Sequence, residues 1–219
     1  MGDETIDRAR AIGTAGLSDA LDKLGLAGAV PGIVPFDPRF TICGRAFTGQ
    51  YEPVDSLGGT VGDYIDDVEP GQIVVLSNDG RLDCTVWGDI LTAVASARGL
   101  GGTVIEGVCR DVADSLAIGY PVFARGRSMQ TGKDRVRLAS TGRPVRLGSV
   151  LVHPGDIVRG DADGVVVIAD EHTQRVLDLA ESIEDAENSI RTAVVGGQRL
   201  DEARARMGYH TLQTKADAR

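Results

Sequence analysis

The sequence predicts an α/β fold with helices outside a mixed sheet core. Three observations carry this expectation. The middle of the chain alternates apolar runs of strand length with helical patterns, as strand–helix–strand units do. Residues 144–170 hold apolar runs broken by Gly-, Pro- and Asp-containing turns, and a long charged helical pattern comes after them. The 219 residues contain no linker, repeat or low-complexity stretch, so a single domain over 1–219 is expected.

Taken in order, GLSDALDKLG (16–25) places Leu17, Ala20, Leu21 and Leu24 at helical spacing. Ser18 is the N-cap candidate and Gly25 the stop. GIVPFDPRF (32–40) reads as a proline-rich connection and TICGRAFTGQY (41–51) as a strand. VDSLGGTVGDYIDDVEPG (54–71) predicts a helix of weak propensity, then a turn at Pro70-Gly71. QIVVLS (72–77) is a buried strand. WGDILTAVASARGLGG (87–102) is a helix from about Asp89, ended by Gly99 and Gly101-Gly102. TVIEG (103–107) is the next strand, ending at Glu106-Gly107, with DVADSLAIG (111–119) a short helix and PVFARG (121–126) another strand. Short strands joined by hairpins are expected over 144–170, then a long helix over 171–195 and a polar tail.

Composition narrows the function. The net charge of −9 argues against a nucleic-acid partner, since backbone binding rests on Lys and Arg neutralising phosphates. The 29 glycines are spread along the chain, as tight strand connections require. Cys43, Cys84 and Cys109 are odd in number and lack C-x-x-C spacing, which predicts reduced thiols in a cytoplasmic protein. No apolar run approaches the ~20 residues of a membrane span, and residues 1–10 lack the apolar core of a signal peptide.

Several motifs fail on context. Gly99, Gly101 and Gly102 follow a helix and precede a strand, the reverse of a dinucleotide fingerprint. In DADG (161–164) the glycine comes fourth, not sixth as in a calcium loop, so a hairpin turn is expected. His153, His172 and His210 have no zinc spacing, and no serine stands in a nucleophile elbow. Three acidic positions remain. Asp89 opens a helix, Asp111 follows Arg110 where a strand gives way to a helix, and Glu187 lies on the long C-terminal helix. Read blandly, these are a helix cap, a surface ion pair of little worth and one charge on an exposed face. Against that, Asp89 and Arg110-Asp111 both sit at junctions where open α/β sheets place ligands. The amides of Ile90 and Leu91 would also be unpaired at a helix start, ready for a carboxylate. Together these features suit a small anionic keto acid held with a divalent metal.

GLSDALDKLG, the block WGDILTAVASARGLGGTVIEGVCRDVADSLAIGYPVFARG and PGDIVRGDADGVVVI resemble the class II pyruvate aldolases. These act on 4-hydroxy-4-methyl-2-oxoglutarate and 4-carboxy-4-hydroxy-2-oxoadipate, and their family includes the RraA-like regulators of ribonuclease activity. The resemblance runs from about Gly13 to Arg191. It implies a β/β/α sandwich similar to the swivelling phosphohistidine domain, with the C-terminal helix and tail after about 172. It also implies a homotrimer or homohexamer with sites between subunits. Asp111 would ligate Mg²⁺ or Mn²⁺, and Arg110 would contact the pyruvyl oxygens. Asp89, next to Gly88, would hold a water on the metal, and the amides of Ile90 and Leu91 would bind the substrate carboxylate. Glu187, with Glu184 as competitor, would enter a neighbouring subunit's site. The implied activity is a lyase that releases pyruvate from a 4-hydroxy-2-oxo acid, with oxaloacetate decarboxylation through the same enolate. The alternative is a non-catalytic binding protein of the ribonuclease-regulator type. A menaquinone-pathway methyltransferase ranks last, because no glycine-rich S-adenosylmethionine loop follows a strand.

Overall fold

The structure, a computed structural model, describes residues 3–54 and 61–209. Helices α1 (Glu4–Ala11) and α2 (Thr14–Leu24) lead into short strands β1 (Ala29–Val30) and β2 (Val34–Pro35), then the long β3 (Ile42–Pro53). The centre alternates β4 (Ile73–Ser77), α3 (Asp89–Ala97), β5 (Gly102–Cys109), α4 (Val112–Ile118) and β6 (Val122–Arg127). Strands β7 (Val136–Thr141), β8 (Val145–Leu147), β9 (Val150–Val152), β10 (Ile157–Asp161) and β11 (Gly164–Ile168) come next. Helices α5 (Thr173–Val195) and α6 (Leu200–Arg206) complete the described chain.

The expected mixed sheet is present. Its strand order is β1-β11-β10-β3-β4-β5-β6-β2, with β7 also paired to β3. Strands β3 to β6 run parallel, each joined to its neighbour by a crossover. Their residues read as near-continuous apolar runs, as strands buried on both faces do. Strand β3 is long enough to serve three neighbours, β10, β4 and β7. Its first half pairs antiparallel with β10 and its middle pairs parallel with β4. One face of the parallel strands packs against α3 and the residues around Trp87 and Tyr120. The other face packs on the β8–β9 hairpin and on Val158, Val165 and Val167. A third cluster joins α1, α2 and α5 to the far side of β10 and β11. No helix among the described residues is long and apolar enough to cross a membrane.

Local expectations hold where glycine sets the backbone. Gly25 ends α2 at φ 70° and Gly119 ends α4 at φ 76°, both left-handed. The turn at Pro70-Gly71 and the DADG hairpin also form. Elsewhere the structure corrects the sequence reading. Helix α2 starts at Thr14 with Gly13 as its N-cap, so Ser18 is interior. The cap comes instead from Asp161, 147 residues away, whose carboxylate accepts the Thr14 amide at 2.8 Å and its hydroxyl at 2.6 Å. Of the helix expected over 54–71, residues 55–60 lie outside the described residues, and the remainder forms only a 3-10 turn, Asp63–Asp67. Strand β5 does not stop at Glu106-Gly107 but continues through a bulge to Cys109. Helices α1 and α6 and strand β7 have no counterpart in the sequence reading. Charged residues hide the short apolar stripe of α1, Ile6 and Ala9, and β7 is mostly half-exposed.

Burial alone would raise the Asp161 pKa, but the bonds from Thr14 and Asp163 outweigh it and hold the carboxyl below its usual 3.8. A depressed carboxyl stabilises the fold above its unfolded pKa, and that contribution disappears as pH falls through the folded value. Asp161→Ala is therefore expected to cost about 1–2 kcal/mol at pH 7, as loss of a helix cap does. The gap from the native protein should narrow below pH 3.8, as read by urea denaturation at several pH values.

Candidate functional site

Strands β4 and β5 lie side by side and parallel, so the connections leaving their C-terminal ends meet. The first brings Trp87, Gly88 and the start of α3. The second brings Arg110 and Asp111. They are tied by the Arg110 amide, which donates to the Trp87 carbonyl at 3.1 Å. Trp87 is anchored in the core, 2% exposed and stacked on Tyr120 at 6.1 Å between ring centroids. Its indole N–H donates to the Thr92 hydroxyl at 2.9 Å, which donates onward to the Gly88 carbonyl at 2.9 Å.

These ties bring the predicted residues together. Gly88 caps α3, and Asp89 is its first residue rather than its cap. The Asp89 amide donates to Asp111 Oδ2 at 3.2 Å, the oxygen that also faces Arg110 Nε at 3.2 Å. The amides of Ile90 and Leu91 form no hydrogen bond among the described residues, as expected for a helix start. Asp111 stands at φ 55°, left-handed, and its side chain makes no capping bond to α4. A non-glycine residue held there is an outlier of the kind that gathers at functional sites.

Gly88 has a specific spatial role. A Cβ at this position would lie 2.7 Å from Asp111 Oδ2 and 3.1 Å from Arg110 Nε. Its bareness lets both side chains close over the helix start. Beyond them opens a cleft of about 590 Å³. Val61, Ile65, Leu91 and Val94 form its apolar side, and Asp63, Asp66, Asp89, Arg110 and Lys133 also line it. Sequence reasoning missed Lys133. It sits on the loop between β6 and β7, which Thr85 secures through a hydrogen bond from its amide to the Gln130 carbonyl at 3.0 Å and a bridge to Thr131. The signal available was the Thr-Gly-Lys turn: Gly132 approaches the Thr85 carbonyl so closely that a Cβ would lie 2.3 Å from it.

The structure does not bring Glu187 or Glu184 to this cleft. Both lie on α5, which packs on α1, α2 and α6 and contributes no residue to the lining. Cys109, just before Arg110, is buried, and burial followed by the Asp111 charge pushes its thiol up to about 12. A thiol held neutral is no nucleophile. The donor set suits one class of metal. No cluster of three His, Cys, Asp or Glu occurs among the described residues, so an all-protein cage of the zinc type is not built here. A magnesium-like cation needs only one or two carboxylates and keeps several waters. Asp111 and Asp89, joined by the bond from the Asp89 amide to Asp111 Oδ2, are the two carboxylates at the helix start that fit that requirement.

The family model described as RraA-like, Aldolase/RraA, matches residues 14–167. The chain belongs to this family. It is 39% identical over 194 residues to Protein DlpA of Legionella pneumophila, covering 87% of this chain. It spans about a third of that relative's length, 32%. It is 34% identical to a Halalkalibacterium halodurans protein named "Putative 4-hydroxy-4-methyl-2-oxoglutarate aldolase", over 80% of this chain and 81% of that one. Among solved structures, an uncharacterized protein from Pseudomonas syringae pv. tomato superposes with a TM-score of 0.86 at 41% identity, covering 93% of this chain and 98% of its own. Streptomyces coelicolor RraAS2, described as an unusual member of the RNase ES inhibitor RraA family, superposes at 0.79 with 26% identity, over 87% and 97% of the two chains. The RraA-like chain is thus similar both to a relative named as an aldolase and to one named as an inhibitor's kin.

Gly88→Ala isolates the closure of the site from the fold. The atoms a Cβ would meet, Asp111 Oδ2 and Arg110 Nε and Cγ, all belong to side chains and none to backbone. The variant should keep its melting temperature within a few degrees while Asp111 and Arg110 swing apart, as a crystal structure would show. An unchanged Arg110–Asp111 geometry would contradict this account.

Proposed function

We propose that the protein is a divalent-metal-dependent class II aldolase. It cleaves a 4-hydroxy-2-oxo acid such as 4-hydroxy-4-methyl-2-oxoglutarate to pyruvate and a second keto acid, and it decarboxylates oxaloacetate. The observation that carries this reading is the pairing of Arg110 and Asp111 across Gly88 from the free amides of Ile90 and Leu91. The aldolase name of a relative that aligns over four-fifths of the chain supports it. The three buried free thiols support a cytoplasmic location.

In this reading Asp111 would hold Mg²⁺ or Mn²⁺, which would supply Lewis-acid stabilisation of developing negative charge. The amides of Ile90 and Leu91, at the positive end of α3, bind the substrate's carboxylate. Arg110 spans the pyruvyl oxygens with its planar fork and stabilises the charge that develops there as the C3–C4 bond breaks. Asp89 takes the proton of the C4 hydroxyl, directly or through one water, and the same proton returns to C3 of the enolate after the C3–C4 bond has broken, giving pyruvate. Lys133 meets the distal carboxylate of a dicarboxylic substrate. The apolar wall of Leu91 and Val94 lowers the local dielectric, which strengthens each of these charge contacts.

Glu187 acts in this scheme only from another copy, which requires an oligomer, and the family resemblance implies a homotrimer or homohexamer. Exposed apolar side chains around α3 and α4 support association: Ile90 is 72% exposed, Ile118 46% and Leu116 41%. A second reading, a non-catalytic binding protein of the ribonuclease-regulator type, draws support from the likeness to RraAS2.

The two readings part in one assay. Pyruvate should be released from oxaloacetate with Mg²⁺ or Mn²⁺ and not with EDTA. Asp111→Ala should abolish the release, and Arg110→Lys should lower kcat by about 10²–10³-fold, the cost of one oxyanion donor. A folded protein inactive on a panel of 4-hydroxy-2-oxo acids and oxaloacetate with either metal would leave the regulator reading.

Shared sites predict complementation. Light scattering should give three or six times the chain mass. Glu187→Ala and Asp111→Ala proteins, each weak alone, should gain activity when dissociated and reassembled together. No gain, with subunit exchange confirmed by mass spectrometry, would remove Glu187 from the site and pass the same test to Glu184.

A further inference from the structure

Outside the cleft, the fold encloses the carboxylate of the Glu106–Arg125 ion pair. The Glu106 side chain is 8% exposed, and Arg125 grips both its oxygens, Nε at 2.6 Å and Nη2 at 3.0 Å. Three separate turns leave room for this pair. A Cβ on Gly32 would lie 2.9 Å from Arg125 Nη1, and one on Gly148 3.2 Å from Nη2. A Cβ on Gly80 would lie 3.2 Å from Glu106 Oε1.

Glu106 stands at the irregular point of β5. The β5–β6 register passes from Ile105↔Ala124 to Val108↔Gly126, so Glu106 and Gly107 together face Arg125 alone. Such a bulge bends the strand and re-aims the residues beyond it. Gly107 sits at φ 156°, where a Cβ would press on Asn78 Cβ at 3.2 Å and on the Arg81 carbonyl at 3.3 Å. The Glu106 carbonyl accepts the amides of Asn78 at 3.0 Å and Gly80 at 3.2 Å, which begin the connection to Gly88. Past the bulge, Val108 bridges to Thr85 and Arg110 bonds to Trp87. The connection to Gly88 and the strand end that carries Arg110 therefore both lead from Glu106, one through its backbone and the other through the strand it bends.

We infer that Glu106 and Arg125 are positioning residues, whose two-point contact fixes the β5 bulge and thereby the geometry of Arg110 and Asp111. Neither touches the cleft. The catalytic consequence rests on the aldolase reading; the structural part does not. Breaking the pair from one side strands a buried charge, whereas replacing both partners with apolar side chains removes that penalty. Stability and geometry can thus be separated.

Arg125→Met and Glu106→Gln should each lower the melting temperature, and the double variant Glu106→Met/Arg125→Met should recover most of the loss. In that stable double variant, amides 107–112 should still exchange hydrogen faster than in the native protein. Its Mn²⁺ affinity and kcat on oxaloacetate should stay down by about 10–100-fold, as when a supporting partner of a metal ligand is lost. Native exchange across 107–112 in the folded double variant would overturn the inference. If the double variant does not fold, Arg125→Lys, which keeps the charge but not the fork, carries the same exchange test. A native protein that neither binds Mn²⁺ nor releases pyruvate would defeat the aldolase reading, while the exchange result would still decide the positioning role.

Discussion

The cleft depends on one backbone hydrogen bond, from the amide of Arg110 to the carbonyl of Trp87. It joins the connections that leave the ends of two parallel strands, alongside the Thr85–Val108 bridge and the bond from the Asp89 amide to Asp111. Because Trp87 is packed in the core and linked through Thr92 to the first turn of α3, the bond fixes the helix start against Arg110 and Asp111 together. Loops that carry function are usually positioned by a rigid scaffold. Here the scaffold reaches into the loop itself, through an indole that is 2% exposed.

That arrangement concentrates cost at a few residues. Asp111 keeps a left-handed backbone, of order 1–3 kcal/mol for a non-glycine residue, and Gly88 gives up a side chain. In return the Asp111 carboxylate sits where it meets a helix N-terminus and a guanidinium at once. Cys109, directly beneath, is kept neutral by burial and by that same negative charge. The chemistry available at this junction is therefore that of oxygen ligands, amides and a guanidinium, not of a thiolate.

Much of this is legible in the sequence because local rules coincide there. Gly25, Gly99 and Gly119 end helices in left-handed conformations, and the apolar runs 73–77 and 103–105 form the central strands. The G-D-I-L helix start and Arg110-Asp111 can be placed at neighbouring junctions because β4 and β5 are successive strands joined by one helix. The features that are not legible depend on distant partners. Ser18 is a reasonable cap for α2 on local grounds alone, but Asp161 supplies one from across the sheet. Lys133 reaches the cleft only because Thr85 holds its loop. Strand β7 follows the expected alternation too weakly, since its side chains are mostly half-exposed. The bulge in β5 leaves no local mark beyond Glu106-Gly107, which reads equally well as a strand's end.

The C-terminal helix shows a different division of labour. Its first half is committed to this chain: Val176, Leu177, Ala180 and Ile183 are buried, and Arg8 ties Asp178 and Glu181 to α1. From residue 184 to 189 no side chain is buried, and burial returns only at Ile190. Glu184 and Glu187 fall within that interval. The fold of one chain makes no core use of this turn of helix, and the chain's own cleft takes no residue from it. Arg110, Asp111 and Lys133 are assembled by contacts within one chain, so their geometry does not wait on association. Glu184 and Glu187, by contrast, lie on a stretch of α5 that takes no part in the cleft of their own chain, so a role for either at this site, in the scheme proposed above, depends on a second copy.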